Sequence, residues 1–209
     1  TDARVPSEDL KTMLSSAVRR TFNCITVDGD MSTNDTVIAM ANGAALDDGV
    51  EVTVGSPDGE KLGQAMEAVC SEMAKAIARD AEGSTKLITI RVNSARVESE
   101  ARKVGLSVAN SNLVKTAMFG CDPNWGRILC AVGYSGVDLA PDHVTVQLCG
   151  TAIYADGAGT DFDEAALSTA MQAEDIPVDI DLGAGSESAQ IFTCDLTYDY
   201  VRLNAEYTT

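Results

Sequence analysis

Asp28-Gly29-Asp30-Met31-Ser32 places short oxygen-bearing side chains at alternate positions, as the start of a calcium loop does. Such a loop needs Gly at its sixth position and a bidentate Glu at its twelfth. Those positions hold Thr33 and Ala39, so calcium is rejected. What remains is either a structural turn or an active-site wall, because Asp, Ser, Thr and Asn bond readily to nearby backbone. Asp122-Pro123-Asn124-Trp125-Gly126-Arg127 contains the only Trp and leaves two readings open. It is a corner anchored by Trp125, or it brings Arg127 to an anionic substrate group. His143, the only histidine, follows Pro141-Asp142 with no Ser or Cys elbow nearby, so a Ser-His-Asp triad has no anchor and it reads as a surface histidine. Gly183-x-Gly185-x-x-Ser188 is a broken dinucleotide fingerprint followed by a strand-like segment, so no helix N-terminus receives a phosphate. Thr1 has the chemistry of a terminal nucleophile, whose own amine serves as base, but nothing else in the residues supports that role.

The elements that would position these groups follow from hydrophobic periodicity. Residues 7–22 predict an amphipathic helix with Ser7 as N-cap and Leu10, Met13, Leu14, Ala17, Val18 and Phe22 on one face. Ile25–Val27 predicts a short strand, and Val37–Ala41 a buried strand or helix start. Residues 60–79 give the strongest helix, with Leu62, Met66, Val69, Cys70, Met73 and Ile77 in one stripe. Lys86–Val92 alternates as a strand, a helix follows over 99–109, and Leu113–Phe119 is apolar. Ile128–Val132, Val144–Cys149, Val178–Leu182, Gln190–Leu196 and Tyr200–Leu203 predict strands, with a short helix over 163–172. The order is mixed without regular βαβ alternation, which predicts an α+β layered fold. The strand-rich stretch from about 134 to 182 is expected as a smaller lobe.

Composition bounds the function. A chain of 209 residues buries roughly 70% of its unfolded surface and needs no staple. Fifteen Lys and Arg against 32 Asp and Glu give a net charge of −17, a field that repels phosphate backbones and anionic membranes. No nucleic-acid or membrane partner is expected, and no apolar run is long enough to span a bilayer. The six cysteines are widely spaced with no C-x-x-C, which favours buried thiols in a reducing compartment over disulfides or a metal site.

Taken together, several stretches resemble the ornithine acetyltransferase family. They are Phe22-Asn23-Cys24-Ile25 through Gly29-Asp30-Met31-Ser32-Thr33-Asn34-Asp35-Thr36, Asp80-Ala81-Glu82-Gly83-Ser84-Thr85-Lys86, Asn112-Leu113-Val114-Lys115-Thr116-Ala117, Asp122 to Leu129, and Cys194-Asp195-Leu196 through Tyr200 to Tyr207. The matches run the length of the chain in order, and the wording of 22–36 resembles the fungal, mitochondrial branch.

The resemblance implies the β chain of a precursor that cuts itself before a Thr. It implies ping-pong acetyl transfer from N2-acetylornithine to glutamate through an acetyl-Thr, with acetyl-CoA as a further donor in some members. The implied fold is an α/β/β/α-type sandwich of the N-terminal-nucleophile aminopeptidase kind. The implied partner is an α chain in an α2β2 heterotetramer of the mitochondrial matrix, with no cofactor and no metal. The family nucleophile lies in an Ala-Thr-Met-Leu context upstream of a Thr-Asp-Ala, so it is expected ahead of Thr1 rather than at it. Lys11-Thr12-Met13-Leu14 is similar to that motif but sits within the first predicted helix. Residues carried over as substrate contacts are Glu82, Asn204 and Thr209, with Glu82 suited to a substrate ammonium. The rival readings are an amidase or aminopeptidase of the same fold, and an acidic binding subunit without a nucleophile.

Overall fold

A computed structural model describes residues 1–45 and 50–207. Among them run helices α1 (Ser7–Arg20) and α2 (Pro57–Arg79), then strand β1 (Leu87–Ala95). Helices α3 (Glu98–Ala109), α4 (Asn112–Phe119) and α5 (Trp125–Gly133) follow, then strands β2 (Thr145–Leu148), β3 (Thr151–Ala155) and β4 (Ala158–Gly159). Helix α6 (Glu164–Ala170), strands β5 (Asp175–Asp181) and β6 (Glu187–Cys194) and helix α7 (Tyr198–Glu206) complete the order. The class is the α+β expected from the mixed pattern. No helix among the described residues is long and apolar enough to cross a membrane.

Chain contacts divide into two units. The first comprises Thr1–Cys24 and Met31–Ala74. It holds α1, whose Met13 and Ala17 are buried, and a segment in which Asn42 N donates to Thr1 O and Val52 N to Arg4 O. Val37–Ala41, expected as a buried strand or helix, is neither. Ile38 is 74% exposed, and the contact there is Thr1 N donating to Met40 O at 2.9 Å, not a ladder. Helix α2 forms as expected, but its stripe is turned. Cys70, Ala74 and Ala78 are buried, while Val69, Met73 and Ile77 are exposed, so small side chains face inward.

The second unit comprises Ile25–Asp30 and Lys75–Thr209. Its six strands form one sheet in the order β4-β3-β2-β5-β1-β6. Only the β1–β5 pair is parallel; β6 and β2 run antiparallel to β1 and β5. Alternation sets the two faces. Ile88, Ile90 and Val92 of β1 stand beside Ile176, Val178 and Ile180 of β5, all buried. On the other face Arg91 pairs with Asp179 at 3.2 Å and Ser94 donates to Asp181 at 2.6 Å. Helix α3 lies on the apolar face. A Cβ at Gly105 would meet Ile191 Cγ1 at 2.7 Å, so the helix lies as close as it does because that residue has no side chain. The stretch 134–182, expected as a smaller strand-rich lobe, falls within this unit, its strands continuing the sheet through β5 onto β1.

Two elements expected as strands are helices. Ile128–Val132 lies in α5, because Asn124 caps it by accepting from Arg127 N at 3.1 Å and Ile128, Ala131 and Val132 fall on one buried helical face. Tyr200–Leu203 lies in α7, capped by Thr197.

Candidate functional site

Three segments of the second unit meet where two of the expected site residues, Glu82 and Asn204, are found. Strand β6 ends at Cys194, and the next residue, Asp195, is buried. Its carboxylate accepts from Thr85 N at 2.8 Å, Thr85 Oγ1 at 2.5 Å and Lys86 N at 3.0 Å, fixing the loop that leads into β1. Thr197 then joins the same loop to α7. Its hydroxyl accepts from Tyr200 N at 3.2 Å and donates to Gly83 O at 2.6 Å. Gly83 has φ +66°, and a Cβ there would lie 2.5 Å from Tyr200 N, so residue 83 must be glycine for the loop to touch the helix start.

Glu82 is the exposed residue beside that contact. On α7, Tyr200 donates its phenol to Asp28 Oδ2 at 2.9 Å. Burial, followed by the Asp28 hydrogen bond and the charges of Asp28, Asp30 and Glu82, pushes the Tyr200 phenol up to about 12. Asp28 also accepts from Asp30 N at 2.9 Å, which closes the Asp28-Gly29-Asp30 turn. Asn204, one turn beyond Tyr200, is exposed and donates to Tyr200 O at 3.0 Å. Glu82 thus neighbours the loop contact at the start of α7, and Asn204 lies within that helix one turn beyond Tyr200. Thr209 lies outside the described residues.

This corner carries three carboxylates, Asp28, Asp30 and Glu82, around one neutral phenol. It favours a cationic group at its surface. No group of three or more His, Cys, Asp or Glu among the described residues is arranged to hold a metal ion.

The other sequence candidates fall elsewhere. Of the two readings for 122–127, the packed corner holds. Trp125 stacks on Tyr154 with centroids 5.5 Å apart, and Arg127 donates to Leu113 O at 2.9 Å and Thr116 Oγ1 at 3.4 Å. His143 is exposed in a short 3-10 turn. Thr12 lies inside α1, its hydroxyl donating to Glu8 O at 2.8 Å. Cys24, Cys70 and Cys194 are buried thiols, while Cys121 and Cys149 are half-buried and Cys130 is exposed. Tyr198 and Tyr207, at the start and just past the end of α7, are 84% and 78% exposed; Tyr198 touches Phe119 edge-on at 5.7 Å.

Sequence reasoning missed Tyr200 as the partner of Asp28, a contact spanning 172 positions. It also gave Lys115 no role. The available signal was a lone cation among Leu113, Val114, Ala117 and Met118.

Comparison with known proteins places these features. Residues 1–209 match the ArgJ family. The arginine biosynthesis bifunctional protein ArgJ of Listeria monocytogenes serotype 4b is 46% identical over 209 residues, covering 100% of this chain and 52% of that protein. ArgJ of Streptococcus thermophilus is 45% identical over 208 residues, again with 52% of that protein covered. The chain therefore spans about half the length of the curated relatives it matches. The crystal structure of ArgJ from Bacillus halodurans superposes with a TM-score of 0.94 at 40% identity, covering 99% of this chain and 96% of that one. The fold shared with it is mixed α/β of the N-terminal-nucleophile type, as expected. These relatives are bacterial and lend no support to a fungal, mitochondrial type. By the match along its whole length, this chain belongs to the ArgJ family.

Proposed function

We propose that this chain is the β subunit of a glutamate N-acetyltransferase of arginine biosynthesis, working with an α chain from the same precursor in an α2β2 assembly. The observation that carries the reading is a contrast in coverage. The chain spans 52% of the Listeria relative but 96% of the chain in the Bacillus halodurans crystal structure. A precursor divided into two chains produces that contrast.

In this reading a Thr upstream of Thr1 attacks the acetyl carbonyl of N2-acetylornithine. The amide bond breaks, ornithine leaves with its amine restored, and the acetyl group stays as an ester on the Thr oxygen. The glutamate amine then attacks that ester and carries the acetyl group away. The acidic corner supports such a substrate, because ornithine brings a side-chain ammonium and Glu82 is exposed to meet it. Asn204 supplies both a donor and an acceptor for the amino-acid end. In this reading Thr209 completes the contacts and the α chain supplies the oxyanion donors. A mitochondrial-matrix location is part of this reading on the wording of 22–36 alone, and a tagged full-length precursor tests it by imaging.

The test of the activity is co-expression of both halves followed by incubation with N2-acetylornithine, with and without glutamate. An acetyl adduct on the Thr-bearing chain, discharged into N-acetylglutamate when glutamate is added, is the expected result. Free acetate at the same rate with or without glutamate identifies an amidase instead. Binding of N2-acetylornithine with no adduct and no product identifies a binding subunit.

A further inference from the structure

Lys115 is 3% exposed, on a helix whose neighbouring residues are apolar. Its Nζ donates to Val27 O at 2.6 Å, Cys194 O at 2.6 Å and Thr193 Oγ1 at 3.1 Å. An ammonium has three protons, and each has an oxygen to meet. None of the three oxygens belongs to a carboxylate. Burial pushes the Lys115 ammonium below its usual range, with Cys194, Asp195 and Asp28 acting against that shift. Desolvating a cation is costly, and a hydrocarbon of the same length would fill the space without that cost.

The identity of the acceptors explains what the cation does there. Val27 immediately precedes Asp28, the acceptor of the Tyr200 phenol. Cys194 immediately precedes Asp195, which fixes the Glu82 loop, and α7 begins three residues after Asp195. Thr26 pins only the entry of the first segment, donating from N to Phe192 O at 3.0 Å and from Oγ1 to Asn110 Oδ1 at 2.6 Å. Beyond Thr26, Lys115 is what holds the backbone leading into Asp28.

We propose that Lys115 is a positioning residue for the candidate site: one ammonium bridges the backbone before Asp28 to the backbone before Asp195, setting Asp28 against Tyr200 and α7 against the Glu82 loop. Its consequence for turnover rests on the acetyltransferase reading above. Its consequence for Tyr200 does not.

The experiment is Lys115→Met in the complete protein, read two ways. Tyrosine ionisation is followed by ultraviolet absorbance, with Tyr200 isolated by difference from the same protein carrying Tyr200→Phe. The phenol is expected to fall from about 12 toward the ordinary 10, and kcat/KM to fall about 10- to 100-fold, the scale of a site displaced by about an ångström. A lower melting temperature with Tyr200 titrating as before is what packing alone produces, and overturns the proposal. If Lys115→Met does not fold, lysine-labelled spectra of the unaltered protein decide. A solvent-protected ammonium coupled to the Val27 and Cys194 carbonyls is expected, and its absence overturns the proposal. If the unaltered protein transfers no acetyl group while Tyr200 still shifts in the variant, the acetyltransferase reading fails and the positioning role stands.

Discussion

Two buried lysines, one reaching α4 from outside and one within it, do different work. Lys86, just before β1, reaches the C-terminal end of α4, where Nζ donates to Met118 O at 2.6 Å, Phe119 O at 3.5 Å and Cys121 Sγ at 3.0 Å. Those carbonyls belong to the last turn of the helix, where Met118 O also accepts from Cys121 N at 3.3 Å, and the ammonium meets the negative pole of the helix. Lys115 starts on the helix and reaches out of it, to Val27 and Cys194. One cation finishes an element; the other joins segments distant in sequence. The residue type and the burial are the same, so burial alone does not tell a helix cap from a site support. The acceptors do.

The largest expected effect that sharpens this contrast is in stability. Lys86→Met should lower the unfolding free energy by about 2–4 kcal/mol, because the last turn of α4 loses the charged donor shared by Met118 O and Phe119 O. Denaturant melts measure it. The Tyr200 titration should not move. A Tyr200 shift as large as in Lys115→Met would erase the distinction between the two lysines.

Glu82→Gln comes next. It keeps the shape and removes the charge, which should weaken substrate binding by about 1.5–3 kcal/mol, or roughly 10- to 100-fold in KM. Melting temperature should hold, since Glu82 is exposed. An unchanged KM for both acetylornithine and glutamate would remove Glu82 from the site.

The smallest effect is at Tyr200. Tyr200→Phe removes the hydrogen bond to Asp28 and should cost about 0.5–1.5 kcal/mol near neutrality. The phenol is held up at about 12 in the folded chain against 10 ordinarily. The folded state therefore keeps its proton where the unfolded chain has lost it, and this stability is complete below pH 10 and disappears as pH rises through about 12. The two proteins should differ at neutral pH and converge in that alkaline window. Parallel melts across it that keep a constant gap would show that the phenol does not feel Asp28.

Much of the second unit is legible in the sequence. The alternation of Ile88, Ile90 and Val92 announces β1, and Ala101, Val104 and Val108 announce α3, because each pattern has one neighbour to satisfy. α5 and α7 read as strands on local apolar content, and it is their caps that make them helices. Asn124 and Thr197 sit where N-caps belong, and each bonds the first turn. α7 has no buried residue at all, so it offers no periodic face to read. Glu82 and Asn204 were legible through family motifs alone, since an exposed Glu and an exposed Asn are ordinary surface residues. The Asp28–Tyr200 contact was not legible, because nothing local to either residue requires the other. Lys115 was half legible: its oddity is in the sequence, but its acceptors are backbone oxygens, which carry no side-chain signature.

The position of β1 has a consequence for how the chain reaches this structure. β1 lies between β5 and β6, and Leu87 pairs with Asp175 on one side and Cys194 on the other. A strand that leads the sheet in sequence thus waits for both neighbours until the last part of the chain has been synthesised. Pairings this distant make a slow, late-closing nucleus. During that wait β1 presents two open edges and its apolar face, the hazard most prone to mispairing. The strand that ends the wait, β6, leads directly into Asp195, Thr197 and Tyr200. Closing the sheet and assembling the acidic corner are therefore the same late event, and a nascent chain stalled before residue 187 should carry neither.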